Sequence, residues 1–411
     1  MKQPMLRFKA DDGSDFPDWE EKTLGNEGKF YGGLSGKDKK DFETGDACFV
    51  TYMNVYKNTF ARQDMAGCVS VGAGEKQNKV LCGDLLFTQS SETVEEVGLS
   101  SVYLHDDEPY LNSFCMGYRF NNPKEVCPKF IGYCMRSDGV RKSIIPMGQG
   151  ISRINLSAKR LGTVSFRIPS LPEQRKIADL LSTVDSVIAA QQAEADAWEQ
   201  RKKGVMQKLF SQEVRFKADD GSDFLDWDEK TLGELTNLFV GKSFTSELSE
   251  NGHYVVMDMG SVSPDGSIID TKLTDSTRDL LDKDDLIMPK DDIGGGLIIG
   301  KTAYIPCDGK YVCGDHVYRL RFGKGVDGLF MHYDINSTGP QKRLARKVTG
   351  SAQLGLNSKN VSSETISIPS LSEQRKIANC LSSIDDVIAK EKDELAKWQE
   401  LKKGLLQQMF V

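Results

Sequence analysis

Two segments of this chain occur twice, and this duplication constrains the fold more than any other feature of the sequence. Residues 7–25, RFKADDGSDFPDWEEKTLG, recur at 215–233 as RFKADDGSDFLDWDEKTLG. Residues 168–178, IPSLPEQRKIA, recur at 368–378 as IPSLSEQRKIA. Internal repeats that keep the same order in both halves indicate two structural units of the same design.

The segments enclosed by the repeats, residues 26–167 and 234–367, are similar in length but align with each other only at their C-terminal ends. Short apolar runs broken by Gly, Asp and Pro predict strands, such as KVLCGDLLFTQSSET in the first segment and YVVMD, DLIMP and HVYRLRF in the second. We therefore expect two mixed α/β inserts of different sequence, each held between matching frames.

The repeat unit is interrupted by the ends of the chain. In the middle of the sequence Phe210 is followed five residues later by Arg215, and the same junction would join Phe410 to Arg7. Chain termini often lie close together in folded domains. We therefore expect the two ends to meet and the fold to have pseudo-two-fold symmetry.

Each copy of the second repeat is predicted to begin a long helix. Ser170 and Glu173 fit a capping box, in which the serine hydroxyl and the glutamate carboxylate each accept a backbone N–H, and Ser370 with Glu373 repeats it. Apolar residues then follow at alternating spacings of four and three, which is typical of a coiled coil. These residues are Ile177, Leu181, Val184, Ile188, Ala195, Trp198, Val205 and Leu209 in the first copy, and Ile377, Leu381, Ile384, Ile388, Leu395, Trp398, Leu405 and Met409 in the second.

The two predicted helices are long enough to act as rods, since roughly 35 residues make a helix about 50 Å long. We expect them to pair as an antiparallel coiled coil, with an amphipathic helix packed inside a globular core as the alternative. Gly204 and Gly404 are expected to bend or fray the helices, because glycine is unfavourable in a helix interior. The repeated EQRKIA segment is predicted to offer one polar docking surface twice, through Glu173, Gln174 and Arg175 and through Glu373, Gln374 and Arg375.

Basic and amide side chains are concentrated toward the C-terminal end of each insert. Lys and Arg can neutralise phosphates, while Arg, Gln and Asn can hydrogen-bond to base edges in the major groove. Such a stretch can also be a solvated surface, but its occurrence in both halves favours contact with nucleic acid. The predicted contacts are Arg136, Arg141, Lys142, Gln149, Ser152, Arg153, Asn155, Lys159 and Arg160 in the first half, and Lys290, Lys301, Lys342, Arg343, Arg346, Lys347, Ser351, Gln353, Asn357 and Lys359 in the second.

The composition argues against several kinds of site and location. The chain has a net charge of −7, nine scattered cysteines without a CxxC pair, and four histidines. A zinc site is therefore unexpected, and reduced thiols in the cytoplasm are the simplest interpretation. No apolar run reaches the roughly 18 residues of a membrane span, and the N-terminal segment lacks the apolar stretch of a signal peptide.

Catalytic motifs are absent from the sequence or occur in the wrong context. Residues 295–302 match GxxxxGK[ST], but Ala303 to Pro306 is predicted to be a strand, whereas a P-loop must lead into a helix whose amide groups bind phosphate. The acidic residues from Asp18 to Glu21 are interpreted as a structural loop. No GxSxG, HExxH or GxGxxG motif occurs, so we expect neither catalytic residues nor a metal site.

In combination and order, these motifs resemble type I restriction-modification specificity subunits over essentially the whole chain. The most specific is IPSLPEQRKIADLLSTVD with its copy IPSLSEQRKIANCLSSID, each at the start of a long conserved helix. The repeated RFKADDGSDF segment is similar to the one that leads into a target recognition domain of that family. GDLLFTQSSET, GSVSPDGSIID and GSAQLGLNSKN are similar to strands and loops inside such domains. The sequence departs from the family at Gln89-Ser90-Ser91, where related domains often carry an arginine.

The resemblance implies an α+β fold in which two mixed α/β target recognition domains are joined by two long antiparallel coiled-coil helices. Each domain would read one half of a bipartite, asymmetric site in double-stranded DNA, and the helices would set the gap between the halves. The implied boundaries are 1–167 for the first domain with its frame at 5–25, 168–212 for the first helix, 213–367 for the second domain and 368–411 for the second helix.

The resemblance also implies partner subunits that carry the chemistry. Two methylation subunits would dock on the helices and methylate adenine with S-adenosylmethionine, and two restriction subunits would add translocation and cleavage that depend on ATP and Mg. This chain would then hold no cofactor, contact no membrane and be a non-catalytic recognition subunit. The alternatives are a coiled-coil scaffold with protein-binding inserts and a nucleotide hydrolase that uses residues 295–302.

Overall fold

The computed structural model of the chain describes residues 4–42, 45–270, 272–350 and 354–410, and it divides into two compact units. Unit 1 is formed by the chain up to Gln192 together with the chain from Asp393 onward, and unit 2 is Ala193–Lys392. Because both boundaries fall inside the long helices, each unit contains one insert and a part of each long helix.

The first repeat folds into short strands and short helices followed by one long helix. Its strands are β1 (Glu20–Thr23), β2 (Gly28–Gly32), β3 (Ala47–Val50), β4 (Ala66–Val69), β5 (Leu85–Thr88), β6 (Ser90–Ser91), β7 (Ser100–Val102), β8 (Tyr110–Leu111), β9 (Cys115–Phe120), β10 (Ile154–Asn155) and β11 (Ser165–Ile168). Its helices are α1 (Leu24–Glu27), α2 (Tyr52–Lys57), α3 (Pro128–Arg136), α4 (Asp138–Ile144), α5 (Ala158–Leu161) and the long α6 (Leu171–Phe210).

The second repeat has the same kinds of element and also ends in a long helix. Its strands are β12 (Asp228–Thr231), β13 (Thr236–Phe239), β14 (Tyr254–Met257), β15 (Leu273–Thr274), β16 (Leu286–Pro289), β17 (Asp291–Asp292), β18 (Ala303–Tyr304), β19 (Tyr311–Cys313), β20 (Val317–Phe322), β21 (Leu354–Gly355) and β22 (Thr365–Ile368). Its helices are α7 (Leu232–Leu235), α8 (Gly328–Asn336), α9 (Thr338–Arg346), α10 (Ser358–Ser362) and the long α11 (Leu371–Met409).

The two units share one sheet topology, strand for strand. Unit 1 has a four-stranded sheet in the order β2-β9-β5-β7 and a three-stranded sheet in the order β4-β3-β8, and unit 2 repeats them as β13-β20-β16-β18 and β15-β14-β19. Each three-stranded sheet contains one parallel pair, β3 with β8 and β14 with β19. The predicted mixed α/β inserts are confirmed, and they have a common fold although most of their sequences could not be aligned.

The frame residues that repeat in sequence form matching two-stranded ladders. In unit 1, β1 pairs antiparallel with β11, and Glu20 lies opposite Ile168. In unit 2, β12 pairs with β22 in the same register, with Asp228 opposite Ile368. Each ladder ends three residues before a long helix begins, so the two frames hold each insert and its helix in the same way.

The two long helices are antiparallel, as predicted. Within unit 2, Lys202 Nζ of α6 lies 2.6 Å from Asp385 Oδ1 of α11, and Glu199 Oε1 lies 2.6 Å from Lys392 Nζ. The residue numbers therefore rise along one helix as they fall along the other. No helix in the described ranges combines the length and the apolar character needed to cross a lipid bilayer.

The heptad positions account for the buried side of both helices. Each is buried or half-buried, and Ile177, Leu181, Ile377 and Leu381 are at most 1% exposed. The expectation that Gly204 and Gly404 would fray the helices is wrong, because both helices continue through these residues. The residues that follow the glycines explain this, since they pack against the hydrophobic cores of the units: Val205, Met206, Leu405 and Leu406.

The start and the end of the described chain meet in unit 1, as predicted. The backbone N–H of Leu6 donates to the carbonyl of Gln408 at 3.1 Å. In unit 2 the covalent junction between the repeats makes the equivalent bond, from the N–H of Val214 to the carbonyl of Lys208 at 3.2 Å. The same backbone hydrogen bond therefore forms in both units, between the two ends of the described chain in unit 1 and within the junction between the repeats in unit 2.

An aromatic cluster packs the end of a long helix against the insert in each unit. In unit 1 the ring of Phe130 lies 5.7 Å from that of Trp19 and 5.5 Å from that of Phe410. Tilted and edge-to-face ring contacts at these distances add to the stabilisation from burial. The equivalent residues in unit 2 are Phe330, Trp227 and Phe210.

Candidate nucleic-acid interface

A tight turn in unit 1 brings the basic end of the insert onto a loop from its middle. The turn spans residues 149–155, where the backbones of Gln149 and Asn155 exchange two hydrogen bonds of 3.0 and 2.8 Å, and it is held by the pairing of β10 with β6. Gly150 has a φ of +139°, and a Cβ there would lie 1.8 Å from the carbonyl oxygen of Arg153. The fold therefore requires glycine at this turn, and the turn fixes the backbone of Arg153.

The loop before β9 adds an aromatic side chain to the same surface. The carbonyl of Phe114 accepts the N–H groups of Gln89 and Ser90 at 2.8 and 3.4 Å, which joins this loop to the start of β6. The Phe114 side chain is exposed, and the guanidinium carbon of Arg153 lies 5.4 Å from the centre of its ring. We define the reader surface of unit 1 as residues 89–91, Phe114 and the turn 149–155.

Unit 2 builds the equivalent surface from different side chains. Strand β21 pairs with β17, and the backbones of Thr349 and Gly355 exchange hydrogen bonds of 2.9 and 2.7 Å, as in the turn of unit 1. The N–H of Lys290 donates to the carbonyl of His316 at 3.1 Å, so these residues stand where Gln89 and Phe114 stand in unit 1. The reader surface of unit 2 is thus residues 290–292 and His316, together with Thr349, Gly350, Leu354 and Gly355. The predicted contacts Ser351 and Gln353 lie outside the described residues.

A histidine paired with an aspartate takes the place of Phe114 in unit 2. His316 Nδ1 lies 2.9 Å from Asp291 Oδ2, and the imidazole is about half exposed. The neighbouring Asp292 is buried, and its carboxylate accepts the backbone N–H groups of Gly294 and Ile298. Asp292 therefore holds the following loop, while Asp291 remains on the surface.

Most of the predicted contacts have exposed side chains. This set contains Lys142, Gln149, Ser152, Arg153, Asn155, Lys159 and Arg160 in unit 1, and Lys342, Arg343, Arg346, Asn357 and Lys359 in unit 2. Lys290, Lys301 and Lys347 are half-buried. Asn357 also caps α10 by accepting the N–H of Asn360, a role that Ser157 has for α5 in unit 1.

Arg136 and Arg141 were predicted to contact nucleic acid, but in the structure both side chains make hydrogen bonds within unit 1. Arg136 donates to the carbonyls of Ser100, Val55 and Tyr56, and Arg141 donates to the carbonyls of Glu95 and Val97. Burial lowers the pKa of each guanidinium to about 10. Because their side chains donate to backbone carbonyls within the unit, these two arginines are not candidate contacts.

Two basic residues of unit 2 neutralise a buried acid. Arg343 Nε lies 2.5 Å and Lys347 Nζ 2.8 Å from the carboxylate of Glu364, whose side chain is 1% exposed. Removing either cation would leave part of that buried charge uncompensated. Their first role is therefore to hold α9 against the chain before β22, which leaves Lys342 and Arg346 as the exposed cations of α9 with no ion-pair partner among the described residues.

The match to a P-loop at residues 295–302 does not have P-loop structure. The chain enters strand β18 directly after Thr302, so no helix N-terminus is present to bind phosphate. Thr302 is buried, and its hydroxyl lies 3.3 Å from Nδ1 of His332. Burial also lowers the pKa of Lys301. These residues therefore belong to the interior and edge of unit 2 rather than to a nucleotide site.

The EQRKIA segment was predicted to be a polar docking surface, and this is wrong for its glutamate and glutamine. The side chain of Glu173 is fully buried and accepts two N–H groups of Arg7 at 3.1 and 2.8 Å. Gln174 is also buried, and its amide bonds to the backbones of Cys127, Glu125 and Pro169. The same interactions recur in unit 2 through Glu373, Arg215 and Gln374. Arg175 and Arg375 remain exposed.

Phe114, His316 and Asp291 were not predicted from the sequence as residues of the candidate site. Their equivalence follows from the strand pairing that the two units share, because the sequences of the inserts cannot be aligned at these positions. The described residues contain no group of three or more His, Cys, Asp or Glu side chains placed to hold a metal ion. The chemistry that the two reader surfaces offer is hydrogen bonding, charge and apolar contact.

Comparison with known families and sequences gives consistent matches. A family model described as the type I restriction modification DNA specificity domain matches residues 17–197 and 225–398. The MjaX specificity subunit of Methanocaldococcus jannaschii is 24% identical over 344 residues, which cover 80% of this chain and 77% of that protein. The MjaVIII specificity subunit of the same organism is 28% identical over 276 residues, which cover 63% of this chain and 64% of that protein.

Solved structures share the fold. The S subunit of a type I restriction-modification system from M. genitalium has a TM-score of 0.61 at 17% identity, covering 100% of this chain and 99% of that chain. A second match is a chain from a structural study of complex assembly and conformational transition in the type I R-M system. Its TM-score is 0.54 at 14% identity, and the match covers 96% of this chain and 97% of that chain. At these identities the likeness concerns the fold alone.

Proposed function

Since this chain belongs to the type I restriction-modification DNA specificity family, we propose that its two target recognition domains bind the two halves of one bipartite, asymmetric site in double-stranded DNA. We assign residues 1–167 and 213–367 to the two domains, and residues 168–212 and 368–411 to the helices that join them. Each domain would meet its half-site through the reader surface defined above.

One observation carries the proposal. The two units share one topology, but unit 1 has Gln89 and Phe114 at the positions where unit 2 has Lys290 and His316. The ring of Phe114 carries Arg153, whereas His316 is paired with Asp291. Base edges in the major groove are distinguished by their donors, acceptors and methyl groups. Two surfaces with one backbone and different side chains are therefore suited to two different base sequences.

The exposed cations around the reader surfaces would bind the phosphates. Lys142, Lys159, Lys342, Arg346 and Lys359 are exposed and lie near the C-terminal ends of the inserts. Contacts of this kind position a protein on DNA without reading its sequence, and they make affinity depend on salt. The net charge of −7 does not oppose this, because the distribution of charge and not its sum governs such contacts.

The long helices would set the spacing between the half-sites and dock the partner subunits. They are continuous over 40 and 39 residues, and at about 1.5 Å per residue the length of a continuous helix is set by its number of residues. The exposed Arg175 and Arg375 are the remaining members of the predicted docking segments. We expect that lengthening both helices together would change the gap between the methylated half-sites while the half-sites stay the same.

We place the chemistry on partner subunits. In this proposal two methylation subunits use S-adenosylmethionine, two restriction subunits use ATP and Mg, and this chain recognises DNA in the cytoplasm without catalysing a reaction. The complex described for the related structure with a TM-score of 0.54 supports assembly with other subunits. A nucleotide hydrolase is disfavoured by the strand that follows residues 295–302.

Exchange of one insert tests the proposal. The complex of this chain with its methylation subunit would be expressed in a host that lacks other adenine methylation, and the methylated sequences would be determined genome-wide. Replacing residues 26–167 by those of a relative should change one half of the methylated motif, and replacing residues 234–367 should change the other half.

An unchanged motif after either exchange would overturn the proposal. Binding of the assembled complex to its methylated sequence should also weaken steeply as salt is raised. If the complex bound DNA without salt dependence, or bound none, the inserts would be better explained as protein-binding modules on a coiled-coil scaffold.

A further inference from the structure

We propose that Arg153, held on the ring of Phe114, reads a guanine in the half-site bound by unit 1, through the O6 and N7 atoms of that base. This inference rests on the proposed function and adds one named base contact to it. The arguments are the fixed position of both residues, the unused hydrogen-bonding groups of the guanidinium and the different chemistry of the equivalent position in unit 2.

Backbone hydrogen bonds position the segments that carry both side chains. Phe114 is held by two N–H groups that its carbonyl accepts from residues 89 and 90, and its own N–H donates to Asn112 Oδ1 at 2.9 Å. Arg153 lies in the turn that requires glycine at position 150. Side chains on such a backbone lose little further freedom when they bind, which favours affinity and a defined geometry.

The aromatic ring orients the guanidinium while leaving its edge open. The guanidinium carbon of Arg153 lies 5.4 Å from the centre of the Phe114 ring, within the range of a cation–π contact. No side-chain or carbonyl oxygen among the described residues accepts a hydrogen bond from this guanidinium. By contrast, Arg160 in the same basic segment already donates to the carbonyl of Met147 at 3.0 Å. Arg153 therefore has donors to offer a ligand.

Guanine is the base whose edge suits these donors. A guanidinium can donate two parallel hydrogen bonds to guanine O6 and N7, which is the commonest specific contact between an arginine and a base in the major groove. Adenine presents an amino group in place of O6, and that donor would face the donors of Arg153. The exposed ring of Phe114 lies beside the guanidinium and can contact an apolar part of the neighbouring base, such as a thymine methyl group.

The residue of unit 2 that is equivalent to Phe114 has different chemistry. His316 replaces Phe114, and its ring nitrogen lies 2.9 Å from a carboxylate oxygen of Asp291. A carboxylate accepts hydrogen bonds and would face the acceptors O6 and N7 of guanine. The guanine contact is therefore assigned to the half-site of unit 1, which the insert exchange identifies.

Base analogues test the contact in the assembled methylation complex. Each guanine of the unit 1 half-site, on either strand, is replaced in turn by 7-deazaguanine, which lacks the N7 acceptor, or by inosine, which keeps both O6 and N7. For the unchanged protein we expect 7-deazaguanine to weaken binding roughly tenfold at one guanine. Inosine at that position should weaken binding much less.

Variants of the protein connect that guanine to Arg153. Arg153→Met removes the hydrogen-bond donors of the guanidinium while keeping an extended side chain, so this variant should bind more weakly and should no longer distinguish 7-deazaguanine from guanine at that position. Phe114→Leu should reduce the same discrimination partly, because the guanidinium loses its platform. As the matched control, Lys142→Gln removes an exposed cation from the same segment; it should weaken binding to all sequences similarly and leave the discrimination intact. Thermal unfolding of each variant confirms that it is folded.

The outcomes separate this inference from the proposed function. If Arg153→Met keeps full sensitivity to 7-deazaguanine at every guanine, or if the unit 1 half-site contains no G·C pair, the guanine contact is wrong while a bipartite methylated motif would still support the proposed function. If no bipartite motif is methylated at all, the proposed function fails and the guanine contact fails with it.

Discussion

Lys402 and Asp185 form an ion pair within unit 1, with the ammonium nitrogen 2.6 Å from Oδ1 of the carboxylate. Oδ2 of the same carboxylate accepts the hydroxyl of Tyr133 at 2.6 Å. Lys402 belongs to α11, Asp185 to α6 and Tyr133 to α3 of the insert. One carboxylate therefore connects both long helices to the domain that they carry.

Unit 2 contains the same network around Asp385. The contribution of this carboxylate to stability can be measured there, with a substitution of the adjacent aspartate as the control. Asp385 lies 2.6 Å from Lys202 and accepts the hydroxyl of Tyr333 at 2.7 Å. Asp385→Ala would leave a buried hydroxyl without an acceptor, so we expect the free energy of unfolding to fall by about 2 kcal/mol. The adjacent Asp386 is exposed, and Asp386→Ala should change stability by less than about 0.5 kcal/mol. Urea unfolding measures both, and equal effects would show that the network adds no stability.

The buried Glu173 makes the position of Arg7 sensitive to substitution. Its carboxylate is fully buried and depends on the two N–H groups of Arg7 for compensation. Arg7→Ala should therefore reduce the free energy of unfolding by about 3 kcal/mol, since a buried charge loses its partner. Lys9→Ala is the control, because Lys9 pairs with Asp15 where both side chains are well exposed and such pairs contribute little. If the unfolding temperature of Arg7→Ala is no lower than that of Lys9→Ala, this explanation is wrong.

The glycines inside the long helices are predicted sites of stabilisation. A Cβ added at Gly204 or at Gly404 would meet no atom within 4 Å, and both residues are helical. Gly204→Ala and Gly404→Ala should each raise the free energy of unfolding by about 0.5–1 kcal/mol, the difference in helix propensity. Gly28→Ala should instead destabilise unit 1, because its Cβ would lie 2.3 Å from the carbonyl oxygen of Arg119. Denaturant titration of the three variants checks the opposite signs.

The repeats and the heptads predicted the frame of the fold because both are local patterns. The spacing of apolar residues after Ile177 and Ile377 follows from helix geometry, and burial of those residues follows from pairing. The common topology of the inserts is not a local pattern. It depends on which strands pair across 50 or more residues, such as β2 with β9, and sequences as different as these can satisfy the same pairing.

The candidate site was predicted less well than the frame, because composition does not show where a charged side chain points. Arg136 and Arg153 look alike in the sequence, yet one donates to buried carbonyls and the other lies on an exposed ring. Glu173 looks like a surface residue of an amphipathic helix and is buried because Arg7 neutralises it from the other repeat segment. These choices depend on partners distant in sequence.

Asp334 of α8 has a buried carboxyl group. The free energy needed to ionise it in the folded protein should make stability depend on pH. Burial raises its pKa to about 7, while the nearby charge of Arg343 opposes that rise in part. Its Oδ2 atom has no hydrogen-bond partner among the described residues. The equivalent residue of unit 1, directly after the shared tyrosine, is Cys134, which carries no charge at neutral pH, so the common fold does not require an acid here.

The sign of the effect follows from the two states of the chain. In the unfolded chain an aspartate ionises near pH 4, whereas in the folded chain Asp334 keeps its proton up to about pH 7. The folded state is therefore destabilised progressively as pH rises from about 4 to about 7, and the penalty is constant above that range. Asp334→Asn removes the ionisation, so the variant should gain stability relative to the unchanged protein by roughly 2 kcal/mol more at pH 8 than at pH 5. Urea unfolding of both proteins at several pH values gives this difference directly, and any constant effect of the amide cancels. Asp386→Asn, at an exposed position, should show no such dependence of its stability difference on pH. If the difference in free energy of unfolding between Asp334→Asn and the unchanged protein does not change with pH, the carboxyl group is already ionised in the folded protein at pH 5.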